Sequence, residues 1–378
     1  KTVSIENYNL ACKKAVMKYT DQWEDLTDKI GFWINMNEPY KTYDSKYMES
    51  VWWLIKEIYK KGLLYKGYNI QPYSPKAGTG LSSHELNQPG TYKNVTDTSV
   101  TAQFKTINES LPQKLYRDTP LYILAWTTTP WTLPSNTALT VGAKIKYIVI
   151  ETFNEYTSLP IRVLLAKDLV NKYFDKKYTQ VNELSELSSK RNKIPYFVEQ
   201  EINGKDLLGI KYEQIWSDSP LPVDNPENAF RVILGDFVST EDGTGIVHTA
   251  PTFGADDAKV AKEASPEVPP LLIHDKEKNK VPLVDLEGKF RDELVGLGGK
   301  YVKNEYYDAE VPDKSVDVEI AIQLKKENKA FKVEKYVHSY PNCWRTDKPI
   351  LYYPLDSWFI GVSKIRKSIF DSNKKINW

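Results

Sequence analysis

Leu121-Tyr122-Ile123-Leu124-Ala125-Trp126 runs directly into Thr127-Thr128-Thr129-Pro130-Trp131-Thr132-Leu133-Pro134-Ser135-Asn136. A short apolar and aromatic run bounded by turn formers reads as a buried β-strand. The next residues cannot extend it, because Pro130 and Pro134 lack the amide hydrogen a ladder needs and hold the backbone near one φ. Threonine hydroxyls and the Asn136 amide therefore gather at a strand end, where they can hydrogen-bond a sugar, a carboxyl ester or a phosphate. A threonine-rich β edge with its own side-chain turns has the same composition, so this stretch alone leaves both readings open.

Further short runs carry the same texture: KYIVIE (146–151), RVLLA (162–166), RVILGDFV (231–238) and GIVHTA (245–250). They predict a β-rich middle domain over residues 91–330, within which the charged and polar residues 175–228 read as surface excursions. GIVHTA belongs to a longer stretch, Gly243 to Asp257, that reads as strand, loop and helix start. DDAKVAKEA (256–264) has helix-forming composition, with acids in the first turn where the macrodipole favours them. One strand end thus presents His248, Phe253, Asp256 and Asp257. Taken singly, a strand-end histidine is more often structural than functional, and first-turn acids usually serve the dipole.

Several chemistries are excluded. GTG is no phosphate loop, since neither GxxxxGK[ST] nor GxGxxG occurs. No serine stands in a nucleophile elbow, and His84, His274 and His338 fall singly without HxxxH or HExxH spacing. Cys12 and Cys343 build neither a disulfide framework nor a four-cysteine zinc site. A hydrolytic site here would use a positioned water, with Asp257 or Asp256 anchoring a cationic group on the substrate.

The flanks differ in texture. Residues 1–90 carry helical spacing at 5–19 and 45–61, with Gly62 as the residue past the second helix, then a strand at 68–73 and a Pro/Gly/Ser-rich loop. Residues 331–378 are aromatic and apolar through Ile360, then helical near 362–373. At 378 residues, 41% hydrophobic and 27% charged, with 51 basic against 50 acidic side chains, the chain suits a folded protein of two or three domains. A net charge of +1 gives no global field for a polyanion, so any nucleic-acid contact must be local. The absence of a long apolar run and of a signal-peptide pattern predicts a cytoplasmic protein without membrane contact. Starting at Lys1 and stopping at Trp378 without a terminal signal hints at a piece of a longer chain.

WTTTPWTLPSN (126–136) and GTGIVHTAPTFGADD (243–257) resemble the two signature stretches of the editing domain inserted into the isoleucyl-tRNA synthetases, class I enzymes. The likeness covers nearly the whole chain: YMESVWWLIKEIYKKGLLYKGYNIQPYSP resembles the segment before the insertion, and HSYPNCWRTDKPILYYPLDSWFI the return to the catalytic core. TTTPWT favours the isoleucine enzymes, because the valine and leucine enzymes typically carry arginine where Thr129 stands. Neither the HIGH nor the KMSKS string of the adenylation site occurs. Some relatives hold zinc near the positions of Ser74–Gly78 and Cys343–Thr346, but here PYSPKAG has no cysteine and CWRT one, so no metal is carried over.

The resemblance implies an α+β architecture, a β-barrel-rich editing domain flanked by helical and partial Rossmann-like segments of the synthetase core. It implies hydrolysis of valine mischarged on the isoleucine tRNA, by a monomer that meets the tRNA 3′ end and valine as an ester or adenylate. The whole enzyme would use ATP and magnesium for ligation, while editing would need no cofactor. Asp257, rather than Asp256, would bind the α-ammonium. His248 would wall the side-chain pocket, with Phe253 beside it. Thr127, Thr128, Thr129 and Thr132, with Asn136, would contact the terminal adenosine and ester and hold the water. Trp126 would pack near the adenine or in the core. A non-catalytic module docking the tRNA 3′ end, and the editing domain of a valine or leucine enzyme, are the alternatives.

Overall fold

The run at 121–126 is a strand, extended by one residue to Thr127, and it is the hub of the fold. A computed structural model describes residues 3–188 and 192–377; residues 1–2, 189–191 and 378 lie outside it, including both chain ends and three residues of the 175–228 stretch. In chain order the strands are β1 (Leu64–Ser74), β2 (Thr79–Gly80), β3 (Tyr92–Lys105), β4 (Leu121–Thr127), β5 (Ala138–Val141), β6 (Lys146–Phe153), β7 (Pro160–Ala166) and β8 (Tyr178–Val181). They continue with β9 (Ile194–Asn203), β10 (Arg231–Leu234), β11 (Ile246–Thr249), β12 (Leu272–His274), β13 (Lys280–Pro282), β14 (Ala330–Pro341) and β15 (Leu351–Ile360). Together with the helices they make a mixed α+β chain.

Ten strands form one sheet in the order β10-β5-β11-β4-β7-β6-β9-β8, with β3 also on β4 and β14 beyond β3. β4 pairs antiparallel with β3 along its length, parallel with β7 at Leu121–Ile123, and parallel with β11 at Trp126↔Val247. The β10 edge does not stay open. Tyr212 N–H donates to Phe230 O at 3.0 Å and Val232 N–H to Ile210 O at 2.8 Å. On the other side of the same segment, Glu213 N–H donates to Lys105 O and Ile107 N–H to Lys211 O, both at 2.8 Å. The ladder β3-β4-β11-β5-β10 thereby closes through residues 210–213 into a barrel, which leaves no free edge there.

Alternation along β4 sorts its side chains. Leu121, Ile123 and Ala125 join the main core with Phe104, Leu139, Tyr212 and Val232, whereas Leu124 faces a second core with Ile150, Val163 and Phe331. The same period puts Thr127 on the main-core side and Trp126 on the other. Buried Arg162 on β7 is paired with Glu199 on β9 at 2.8 Å and donates to Leu115 O at 3.1 Å, so its charge and hydrogen-bonding groups are satisfied.

The expectation that residues 175–228 are surface excursions is corrected. Tyr178, Val181, Tyr196, Ile202, Leu207, Tyr212, Ile215 and Trp216 are buried, and β9 pairs along β6 from Lys146↔Asn203 to Glu151↔Phe197. The charges of this stretch alternate with core residues, so its averaged composition hid a half-buried strand. The strand expected at 231–238 stops at Leu234, and the aromatic segment after residue 330 begins as a twelve-residue strand paired along β3 from Ala330↔Ala102 to Pro341↔Tyr92.

Contacts divide the chain into two compact units, one running through Lys66 and resuming at Trp358, the other Gly67–Ser357. The boundaries drawn from sequence, 90/91 and 330/331, fall inside the second unit. In the first, the helices Ile5–Val16, Thr20–Lys29, Ser45–Lys60 and Arg366–Asn373 bury no residue. Gly62 follows the third of them at φ 66°, a conformation glycine adopts without a Cβ clash. No helix of the described residues is long and apolar enough to cross a membrane.

Candidate functional site

Both polar stretches leave the carboxyl ends of neighbouring parallel strands. Register at Trp126↔Val247 sets Thr127 of β4 beside His248 of β11. From Thr127 the chain turns through Thr129 into a six-residue 3-10 segment, Pro130–Ser135, with Pro130 at its first turn. Thr129 N–H donates to Thr127 Oγ1 at 3.1 Å, and the two hydroxyls lie 3.3 Å apart. Thr128 is half-buried, and its hydroxyl meets no protein partner among the described residues.

His248 sits at the centre of a saturated network. The Tyr212 hydroxyl donates to Asn136 Oδ1 at 2.7 Å, which turns the Asn136 amide nitrogen toward His248 Nδ1 at 2.8 Å and Ala138 O at 2.8 Å. Nδ1 therefore accepts, and the ring hydrogen resides on Nε2, 3.0 Å from Thr132 Oγ1. Thr132 in turn donates to Thr129 O at 2.8 Å. Burial pushes the imidazole pKa down to about 3, so the ring is neutral at physiological pH. Phe104 stacks at 6.5 Å from its ring centre, an apolar floor beneath a polar rim.

Asp257 lies in the first turn of the helix Ala255–Glu263 but reaches back along the chain. Its Oδ2 accepts the Ala250 N–H at 2.8 Å, just past β11. Burial pushes its pKa up to about 6, with the neighbouring Asp256 charge adding to the rise. Gly254 makes room for it, since a Cβ there would lie 2.7 Å from Asp257 Cγ and Oδ2. Phe253 is buried edge-on to Trp131 at 5.0 Å and tilted against Tyr353 at 6.2 Å.

The structure thus joins Thr127 to Thr129, and Thr129 through Thr132 to His248 and Asn136, with Asp257 and Phe253 placed by the loop that leaves β11. Two expected site residues stand apart. Asp256 is exposed, and Trp126 lies on the opposite face of β4, edge-on to Tyr336 at 5.0 Å. No group of three or more His, Cys, Asp or Glu gathers in metal-binding geometry among the described residues.

Residues far away in sequence complete the arrangement and were not anticipated. Tyr212 is buried in the stretch read as surface. Asp317, at the start of the helix Val316–Lys326, accepts the Trp131 N–H at 2.9 Å. Lys303 Nζ lies 3.6 Å from Asp317 and 3.0 Å from Asp97. Burial works against the Lys303 charge, but Asp317, Tyr340 and Asp97 outweigh it and hold the ammonium protonated. Asp317 follows a serine cap and reads locally as an ordinary first-turn acid, which is why nothing in sequence set it apart. Chemically, the site offers threonine hydroxyls and a rigid neutral imidazole, with one anionic carboxylate held just past the end of β11.

Known proteins resemble this chain. The isoleucine–tRNA ligase of Bacteroides fragilis is 54% identical over all of this chain and 34% of its own length, and that of Cytophaga hutchinsonii is 53% identical with the same coverage. The chain spans about a third of the length of the curated relatives it matches. Among solved structures, the editing domain of a Plasmodium knowlesi cytosolic leucyl-tRNA synthetase matches 46% of this chain and 64% of its own, at 13% identity and a TM-score of 0.31. Residues 1–378 are matched throughout by the model of the tRNA synthetases class I (I, L, M and V), and the chain belongs to that family.

Proposed function

We propose that this chain is the central part of an isoleucyl-tRNA synthetase and that residues 91–330 clear valine esterified to the isoleucine tRNA. One missing methylene is worth only about 1–3 kcal/mol in an apolar pocket, and isoleucine against valine is itself the standard case of that limit. An activating site therefore needs a second site that destroys the smaller product. The observation carrying this proposal is the Thr127–Asn136 turn locked to His248, with the Asp257 carboxylate seated beside the same strand.

The Asp257 carboxylate binds the α-ammonium of the ester and orients it. Hydroxyls of Thr127, Thr128 and Thr129 contact the terminal ribose and hold a water. That water attacks the ester carbonyl carbon, its proton passes to the departing ribose hydroxyl, and valine and uncharged tRNA leave. An aminoacyl ester is already activated, so placement and hydrogen bonds to the developing oxyanion suffice without covalent or metal catalysis. His248, neutral and fixed at both nitrogens, is the wall that admits valine and refuses isoleucine, with Phe253 contributing to the same region. Asn136 acts through His248 as a positioning residue, because its amide is engaged by protein groups. For the whole enzyme the family implies ATP and magnesium; HIGH and KMSKS are not among these residues, so no adenylation step is assigned to them.

The test incubates the chain with valyl-tRNA and isoleucyl-tRNA, both charged on the isoleucine tRNA, with EDTA present and Asp257→Ala as control. Loss of valine alone, in the wild type alone, is expected. Binding of the 3′ end without turnover would reduce the chain to a docking module and refute the hydrolase assignment.

A further inference from the structure

The Pro130–Ser135 segment is a short 3-10 turn interrupted by Pro134. Pro130 and Pro134 have no N–H to donate, and at the ends of the segment Thr132 N–H donates to Thr129 O at 3.0 Å and Asn136 N–H to Leu133 O at 3.1 Å. Yet this segment must deliver Thr132 to one nitrogen of His248 and Asn136 to the other. Two outside contacts restrain its backbone: Ser219 Oγ donates to Pro134 O at 2.8 Å, and Trp131 N–H donates to Asp317 at 2.9 Å.

The Asp317 contact is unusual in its cost. The carboxylate is only 4% exposed, and Lys303, which faces it, is only 6% exposed. Removing both charges from water is expensive, and such a pair rarely adds net stability over apolar residues of the same volume. What it supplies is a strong, directional acceptor whose own position is fixed: Lys303 is in turn held by Asp97 at 3.0 Å and lies 4.9 Å from the Tyr340 ring centre, and Asp97 also meets His338 at 3.2 Å. The acceptor is thereby anchored to β3 and β14, independently of the turn it grips.

We propose that Asp317, clamped by Lys303, is a positioning residue that sets the Thr129–Asn136 turn so that Thr132 and Asn136 both meet His248. Its activity readout rests on the hydrolase assignment above; its structural readout does not. In the 378-residue chain, Asp317→Ala is expected to lower kcat for valyl-tRNA hydrolysis roughly tenfold to a hundredfold with KM within about twofold, as misplacement rather than lost binding does. Hydrogen exchange of the Trp131 amide should quicken at least about tenfold while Ile123 and Ala125 in β4 stay protected. Asp317→Asn keeps an oxygen acceptor and should restore both readouts to within about threefold of wild type.

Unchanged Trp131 exchange in Asp317→Ala would overturn the proposal, as would exchange that quickens equally through β4, or an Asn variant as impaired as Ala. Should Asp317→Ala fail to fold, Asp317→Ser, polar but too short to reach the amide, carries the same comparison. If the wild-type chain leaves valyl-tRNA intact, the hydrolase assignment falls, and the exchange data alone decide the positioning role.

Discussion

Asp257→Asn separates the cost of the site from its use. Burial raises the carboxyl pKa to about 6, against an ordinary value of about 3.9. Above pH 6 the folded protein carries the ionised group at its full desolvation cost. Two pH units at about 1.4 kcal/mol each make that cost about 3 kcal/mol. Between pH 6 and pH 4 the folded state takes up a proton that the unfolded state does not, so the cost shrinks; below about pH 4 both states are protonated and it is gone. Asparagine keeps the oxygen that accepts the Ala250 N–H and removes the charge. Urea unfolding at pH 8 should therefore find the variant more stable by up to about 3 kcal/mol, with the gain fading to nothing at pH 4. Activity should move the other way. An ammonium-to-carboxylate hydrogen bond is worth about 1.5–3 kcal/mol, so kcat/KM for valyl-tRNA should fall about tenfold to 150-fold at pH 8. Wild-type kcat/KM should drop to about a tenth at pH 5, where only about a tenth of the carboxyl is ionised, while the variant stays flat. A variant less stable at pH 8, or a wild-type profile as flat as the variant's, would refute the assignment of Asp257 as a strained ammonium anchor.

His248→Ala should let the chain cleave isoleucyl-tRNA at a rate approaching that for valyl-tRNA; retained discrimination in a deacylation assay would remove His248 from the sieve. Gly254→Ala places a methyl 2.7 Å from the Asp257 carboxylate and should cost activity comparable to Asp257→Asn without its stability gain, read by the same two assays. Asn136→Ala strands the Tyr212 hydroxyl and His248 Nδ1 in the core and should lower unfolding free energy by about 2–4 kcal/mol in urea.

How much of this could be read in advance follows the range of each signal. Strand β4 was legible because an apolar run ending at two prolines is a local statement, and the helix Ala255–Glu263 because its acids and composition are local too. The grouping of Thr127 to Asn136 with His248 came from the family resemblance, and the structure joins them through strand pairing that no local pattern encodes. Trp126 illustrates the limit from the other side: it adjoins the threonines in sequence, yet strict alternation along β4 turns it to the opposite face. Tyr212 was hidden because, in a stretch averaged as polar, it and Ile210 are buried in alternation with exposed Lys211 and Glu213. Asp317 and Lys303 were hidden more deeply, for a first-turn aspartate after a serine cap has an adequate local explanation, and only the packing of β3 and β14 shows what else it holds.

The distribution of engaged and unengaged polar atoms bears on how discrimination by size can work at all. Tyr212, Asn136, His248 and Thr132 form a chain in which each hydrogen has an acceptor within the protein, ending on the Thr129 carbonyl. Such groups are poor reagents, since recruiting one for chemistry would strand its neighbour in a buried setting. They make a good wall for the same reason, because moving the imidazole to fit a larger side chain would break both of its hydrogen bonds at once. A soft apolar pocket would yield to one extra methylene for about 1–3 kcal/mol; a wall tied to β3, β5 and the 210–213 segment yields only with those elements. On the proposed function, what remains for the ligand is the Thr128 hydroxyl, the Asp257 oxygen not engaged by Ala250, and the Thr127 and Thr129 hydroxyls, which are engaged only within their own turn. On that same proposal, reactive contacts fall to the side not tied into this chain and selection to the side that is saturated, which is the division of labour a hydrolytic second sieve requires.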